Sequence, residues 1–319
     1  METFTTRDRQ RDLLAQRRGI PRLAPSSGSS RATATAGKVN VEQVLSEVRD
    51  LPALPTIVVK IMRMTGKNDS ATPRSLAEVI SHDPSFTARL MKMANSSYYG
   101  LPRSVSTISD AVMMLGNMTI RNMALVAATQ DTMKHCVPGY ELKPGEMWRH
   151  SVGCAFAVNL LAEQAHYQET EEAFVAGLLH DVGKLILGPY VAERLPAIQV
   201  HMEAEGCSFV EAEKAILGCD HAELGGHMAL AWNLPALLAQ AIRWHHSPAQ
   251  NGYIAPMTAL VYLGNIICVA AGASSQENEL HKSIHPGCLH VLNLTEAHIV
   301  STIEKLGEYV ASLPNTFNE

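Results

Sequence analysis

The chain has 319 residues, 46% of them hydrophobic, 18% charged and only 5% aromatic, which is ample for a real core and points to an all-α protein rather than a β-sandwich. A formal net charge of −5 gives no basic footprint, which speaks against nucleic acid and against a membrane surface as partners. Cys136, Cys154, Cys207, Cys219, Cys268 and Cys288 show no CxxC spacing, so they read as free thiols in a reducing, cytoplasmic setting rather than a disulfide framework.

Residues 1–38 combine Arg7, Arg9, Arg11, Arg17 and Arg18 with a Pro/Ser/Gly/Thr/Ala segment, too poor in large apolar side chains to build a core. They are expected to form a flexible tail, and no apolar stretch typical of a secretory signal is seen in them. From Val39 the texture changes. Val41, Val44, Leu45 and Val48 recur on one helical face, and Thr56 can cap a helix that turns Ile57, Val58 and Ile61 inward. Thr72-Pro73 and Asp83-Pro84 each read as an N-cap followed by proline at the first helical position, where the missing N–H costs nothing. A polar turn over 95–102 precedes two helices, Ile108 to Leu115 and Ile120 to Met133, broken at Gly116-Asn117.

These helices make a predicted N-terminal lobe, 39–135. Its stretch from Ala111 to Ala124 has the outline of a helix-turn-helix, but Arg121 is the only basic residue there, where a recognition helix presents several. Its many methionines read as adaptable core. Val137-Pro138-Gly139 and Lys143-Pro144-Gly145 mark the crossing to a second lobe, 136–319. Its expected helices start at Glu146 and continue through Glu171–Leu187 and Pro189–Glu205. Further ones follow near 208–232, 235–246, 256–272 and 295–312, with no strand pattern competing. The apolar run 258–273 falls short of the ~20 residues of a membrane span and carries Asn265, so it reads as a buried helix.

Within the second lobe, Gly177-Leu178-Leu179-His180-Asp181-Val182-Gly183-Lys184-Leu185 sets an adjacent histidine and aspartate in an apolar run. Burying an unpaired carboxylate costs several kcal/mol, so the pair needs a partner, and a divalent metal is the obvious one. Glu146 and His150, four apart, share a helical face. His221, His245 and His246 lie near predicted helix ends, where a lone histidine is more often a cap than a ligand, yet all three can converge on the same ion. Imidazoles with a carboxylate suit Fe, Mn, Co, Ni or Zn without choosing among them. Such a site can polarise a phosphoryl oxygen and help ionise water, as phosphoester hydrolysis requires. Lys184 is placed to meet an anionic group beside the metal.

The run Leu179-His180-Asp181-Val182-Gly183-Lys184, with His150 upstream, resembles the HD superfamily of metal-dependent phosphohydrolases. Leu51-Pro52-Ala53-Leu54-Pro55, Ile80-Ser81-His82-Asp83-Pro84, Ala94-Asn95-Ser96-Ser97-Tyr98-Tyr99-Gly100 and Ala111-Val112-Met113-Met114-Leu115-Gly116 are similar to the ordered motifs of the HDOD family, the HD-related output domains of bacterial signalling. The likeness runs over about 40–250. It implies an all-α, two-lobed fold and a regulatory role, with signalling proteins as partners, a nucleotide as a possible ligand and homo-oligomers as an option. By the same resemblance His150, His180, Asp181, His221, His245 and His246 match metal-ligand positions, with Glu146 an accessory one, and Lys184 matches a lysine that contacts substrate phosphate. One or two divalent ions are implied, iron or manganese first, with Zn, Ni, Co or Mg as alternatives. HD enzymes end the ligand set with an aspartate. Here the matching residue is Asn265, whose neutral amide binds a cation more weakly. The expectation is a metal-binding signalling protein with weak or no catalysis. The alternative is an active phosphohydrolase in which Asp181 and Lys184 carry the chemistry.

Overall fold

Thr72 and Asp83 act as their place before a proline predicts: the Thr72 hydroxyl accepts the Ser75 N–H at 3.2 Å, and Asp83 Oδ1 accepts that of Phe86 at 3.0 Å. The structure, a computed structural model, describes residues 44, 56–64, 72–96, 99–272 and 284–312. The predicted tail and the Leu51–Pro55 motif lie outside the described residues. The two caps open α2 (Pro73–Ser81) and α3 (Pro84–Ala94), which follow α1 (Thr56–Met64). After α3, Asn95 clasps the backbone of Val105 from both sides, its Nδ2 donating to the carbonyl at 2.9 Å and its Oδ1 accepting the N–H at 2.8 Å. The polar turn is thereby tied shut.

Next comes α4 (Ile108–Met133), begun by a Thr107 cap on Asp110. It is two rods joined at Gly116, where φ is 83° and ψ 161°, a region only glycine occupies readily. The first rod leaves Met113 exposed. The second is core: Ile120, Met123, Ala124 and Leu125 are buried among Leu76, Ile80, Phe86 and Leu90. Arg121, the one cation of the helix-turn-helix outline, is buried with its Nη1 3.3 Å from Glu171. Helices α1, α2 and α3 all pack on α4, which in turn meets α5 (Glu146–Gln164) and α6 (Thr170–Leu179). The described residues form one compact unit.

Seven more helices follow among the described residues: α7 (Lys184–Glu205), α8 (Phe209–Leu217), α9 (His221–Ala231), α10 (Ala236–Arg243), α11 (Pro256–Ala270), α12 (Pro286–Val291) and α13 (Glu296–Ser312). Helix α5 is the hub, flanked by α6, α11 and α13. The apolar stretches 108–133 and 170–205 are long enough to cross a membrane by composition, but their apolar windows are 56% and 83% buried inside the fold. That burial is the packing of core helices.

Two sequence expectations need correction. The break expected at Pro189 falls instead at 180–183, and both Pro189 and Pro196 sit inside α7. Between Leu179 and Ile186 the chain tightens into i−3 hydrogen bonds: Val182 N–H to Leu179 O, Lys184 N–H to Asp181 O and Leu185 N–H to Val182 O, at 2.9–3.2 Å. A Cβ on Gly183 would stand 2.0 Å from the His221 carbonyl oxygen, so this turn is pressed against the start of α9. The second correction concerns strands. Ala249–Gln250 (β1) pairs antiparallel with Tyr253–Ile254 (β2). Asn251 and Gly252 between them have φ of 50° and 77°, the positive-φ Asn-Gly turn that favours a tight hairpin.

Candidate metal centre

Four stretches of chain deliver the centre. His150 comes from the first turns of α5, His180 and Asp181 from the tightened turn after α6, His221 from the first residue of α9, and His245 and His246 from just beyond α10. His180, His221 and His245 are wholly buried, Asp181 is 1% exposed and His150 2%. The close approach of Gly183 to α9 brings the Asp181 turn and His221 together.

The rings are fixed from behind. His180 Nδ1 lies 2.8 Å from the Gly177 carbonyl oxygen and His245 Nδ1 2.7 Å from that of Ile242. His221 Nδ1 lies 2.8 Å from Glu213 Oε2. Each Nδ1 therefore carries the proton, and in the neutral ring each Nε2 turns a lone pair inward. Those nitrogens meet the Nε2 atoms of two further rings, His180 facing His150 at 3.1 Å and His221 facing His246 at 3.0 Å. Asp181 sits between the two pairs. Its Oδ2 is 3.4 Å from both His150 and His180, while its Oδ1 is 3.3 Å from His221 and 3.8 Å from His245.

The donors fall into two groups that share this carboxylate, His150–His180–Asp181 and Asp181–His221–His245–His246, with ligand atoms in each group within 4.8 Å of one another. Facing lone pairs repel unless a proton or a cation stands between them. His245 Nε2 is buried and makes no hydrogen bond, a loss of about 1–3 kcal/mol that coordination would remove. Nitrogen and carboxylate donors that converge in this way fit a divalent cation. Cys268, the nearby thiol, is turned away and donates to the His150 carbonyl oxygen at 3.4 Å.

The charges reinforce the reading. Burial presses the Asp181 carboxyl upward, but His180, Lys184 and His221 outweigh it and hold the group well below the usual carboxylate range. Burial drives His245 downward, helped by His180, so its ring stays neutral. His221 is pulled both ways: burial lowers it, the Glu213 carboxylate lifts it, and the result is a rise to about 10. The pocket thus draws positive charge to His221, which a proton or a metal can supply.

Lys184, expected to meet an anionic group, meets Asp181. Its wholly buried Nζ lies 2.8 Å from Oδ2 and 5.5 Å from the centre of the Tyr140 ring. Glu146 falls outside both ligand groups; its Oε2 accepts the Lys143 N–H at 2.9 Å and ties down the start of α5. Asn265 is buried on α11, the helix that Gly264 and Cys268 fasten to α5. Of the histidines expected to serve as caps or surface, His285 caps α12 through Nδ1, and His298 accepts the Thr295 N–H.

Two residues escaped sequence reasoning. Glu213 is wholly buried and holds His221 from behind, and the Tyr140 hydroxyl donates to the other oxygen of the same carboxylate. In sequence Glu213 stands beside Glu211 and Lys214, so it looks like one charge of a solvated face. Its eight-residue distance from His221 spans a helix end and the Gly218 turn, where no periodic signal survives. A carboxylate in the helix before a candidate ligand histidine is the one cue available.

Comparison with known proteins places the fold. The HDOD domain model matches residues 51–248. The solved structure of an HDOD domain protein of unknown function from Geobacter sulfurreducens is 27% identical, covers 86% of this chain and 100% of that one, and superposes with a TM-score of 0.72. A protein from Marinobacter aquaeolei VT8, named as a candidate signal transduction protein, is 22% identical with a TM-score of 0.66, covering 85% of this chain and 63% of its own. One from Shewanella amazonensis SB2B, named as a candidate metal-dependent phosphohydrolase, is 16% identical with a TM-score of 0.53, covering 85% and 97%. These last two share the fold. An uncharacterized protein of Treponema pallidum (strain Nichols) is 22% identical over 232 residues, 70% of this chain but 43% of its own length, so the chain spans less than half of that relative.

Proposed function

The chain belongs to the HDOD family, and from that premise we propose that it is a bacterial, cytoplasmic signal-transduction protein whose buried centre binds one or two divalent metal ions. The ions, iron or manganese first, serve its folded state and its signalling rather than rapid turnover. His150, His180, Asp181, His221, His245 and His246 would hold them. Metal bound there would supply Lewis acidity and an ionised water. Signalling proteins are its proposed partners.

One observation carries the reading: the inward Nε2 atoms of rings whose Nδ1 positions are already spent, gathered around one shared carboxylate. Three features of the same site argue for regulation over catalysis. Its central atoms are almost wholly shielded from solvent, so a phosphoester has no open approach to Asp181. Lys184 is already committed to Asp181, which leaves it paired rather than presented to a substrate phosphate. Asn265 brings no charge to the ligand set.

A hydrolase is the second reading, and His246 favours it, because it is the one member of the two ligand groups that is not fully buried. Elemental analysis of protein prepared with and without air, beside turnover assays on nucleotides and a simple phosphodiester, separates the two. Bound metal with no turnover above the chelated control is the expected result. Robust turnover that disappears in His180→Ala and Asp181→Ala would sink the regulatory reading, and metal-free protein from both preparations would sink both.

A further inference from the structure

A second concavity lies where α3, α4, α5, α6 and α13 meet, a cleft of about 510 Å³, within the range of ~300–1,000 Å³ that suits a small organic ligand. Phe156 of α5 and Tyr309 of α13 stack at 4.1 Å between ring centres and 14° between planes. Together with Tyr99 and Phe174 they give the cleft an aromatic lining. Two carboxylates, Glu163 and Glu171, join it, while no Lys, Arg or His stands among the described lining residues.

The two carboxylates differ in how far they are answered. Glu171 has the Arg121 guanidinium 3.3 Å away. Glu163 accepts a neutral amide N–H, from Asn159 Nδ2 at 2.7 Å, which leaves its charge in place. Asn122 also lines the cleft and brings a polar side chain without charge. The lining therefore sets an uncancelled negative charge beside aromatic rings, a combination that favours cations. An anionic ligand such as a nucleotide phosphate would meet carboxylates with no cation to receive it.

We propose that this cleft is a binding site for a small organic cation, an ammonium or amidinium on a flat apolar body, with Glu163 receiving its N–H groups and the aromatic residues bordering its body. This goes beyond the metal-centre reading and does not depend on it. The site does adjoin that centre through the chain, because Phe156 and Phe174 belong to the helices that carry His150 and lead into His180.

Titration calorimetry on the full chain at pH 7 and low salt tests it with three probes of one shape: 2-phenylethylammonium, neutral 2-phenylethanol and anionic phenylacetate. The ammonium should saturate a single site and bind about tenfold tighter than the alcohol, equivalent to ~1.4 kcal/mol. Phenylacetate should not saturate. Glu163→Gln should weaken the ammonium by a similar factor, and Asn122→Asp should tighten it; opposite shifts from two isosteric changes cannot both arise from misfolding. The proposal is overturned if the three probes bind alike, if phenylacetate binds best, if none saturates in the millimolar range, or if both variants leave the ammonium affinity where it was.

Discussion

The candidate metal centre and the aromatic cleft are both built on α5 and α6, and each gathers carboxylates, yet they treat charge in opposite ways. At the centre Asp181 is 1% exposed and compensated on every side by lysine and imidazole nitrogens. In the cleft Glu163 is exposed to water and keeps a single neutral amide donor. Coulomb energies rise several-fold as the effective dielectric falls from that of water toward that of a protein interior. The same carboxylate chemistry is therefore indispensable to the fold in one place and available to a ligand in the other.

Asp181→Ala separates the two regions most strongly. It removes the carboxylate common to both ligand groups and leaves the buried Lys184 ammonium without its countercharge, so a loss of about 3–5 kcal/mol in unfolding free energy is expected. Denaturant titration reads the stability, and elemental analysis should show the metal gone. Stability within experimental error of the parent would mean that water, not low dielectric, surrounds the pair. Gly183→Ala comes next. Its new Cβ would fall 2.0 Å from the His221 carbonyl oxygen, a backbone atom that cannot swing aside, so α9 must retreat at a cost of about 1–3 kcal/mol. Metal retention should fall with it, although no ligand has been touched; unchanged retention would show that the close approach does not set the site.

Glu213→Gln should act more gently, since it keeps the shape and removes only the charge behind His221. Metal affinity, measured by competition with a chelator, should drop by about 10–100-fold while the helical circular dichroism stays intact. An equal affinity would reduce Glu213 to a structural hydrogen bond. The smallest effect belongs to the cleft: Glu163→Gln should leave unfolding free energy within about 0.5 kcal/mol of the parent. A loss as large as that of Asp181→Ala would erase the distinction between the two regions.

How far these sites were legible depends on the reach of each interaction. Thr72-Pro73 and Asp83-Pro84 could be read because a cap and its partner N–H are three residues apart. The His180-Asp181 pair could be read because an apolar run makes an adjacent carboxylate costly wherever the run is buried. Pro189 misled because its meaning is contextual: the helix break fell where Gly183 meets α9, and the proline was carried inside α7. The Asn251-Gly252 hairpin signal is local, but it spans only two residues between long stretches of helical periodicity.

The helical architecture, its caps and the candidate ligand set are legible along the chain, since periodicity, capping chemistry and the cost of a buried charge are expressed within a few residues of one another. That Glu213 and Tyr140 stand behind His221, that Lys184 is spent on Asp181, and that an uncancelled glutamate lines an aromatic cleft emerges from the packing of the helices. Those relations join residues from different helices, and what sets them is how closely backbones can pack, as at Gly183, rather than anything written along one turn of chain.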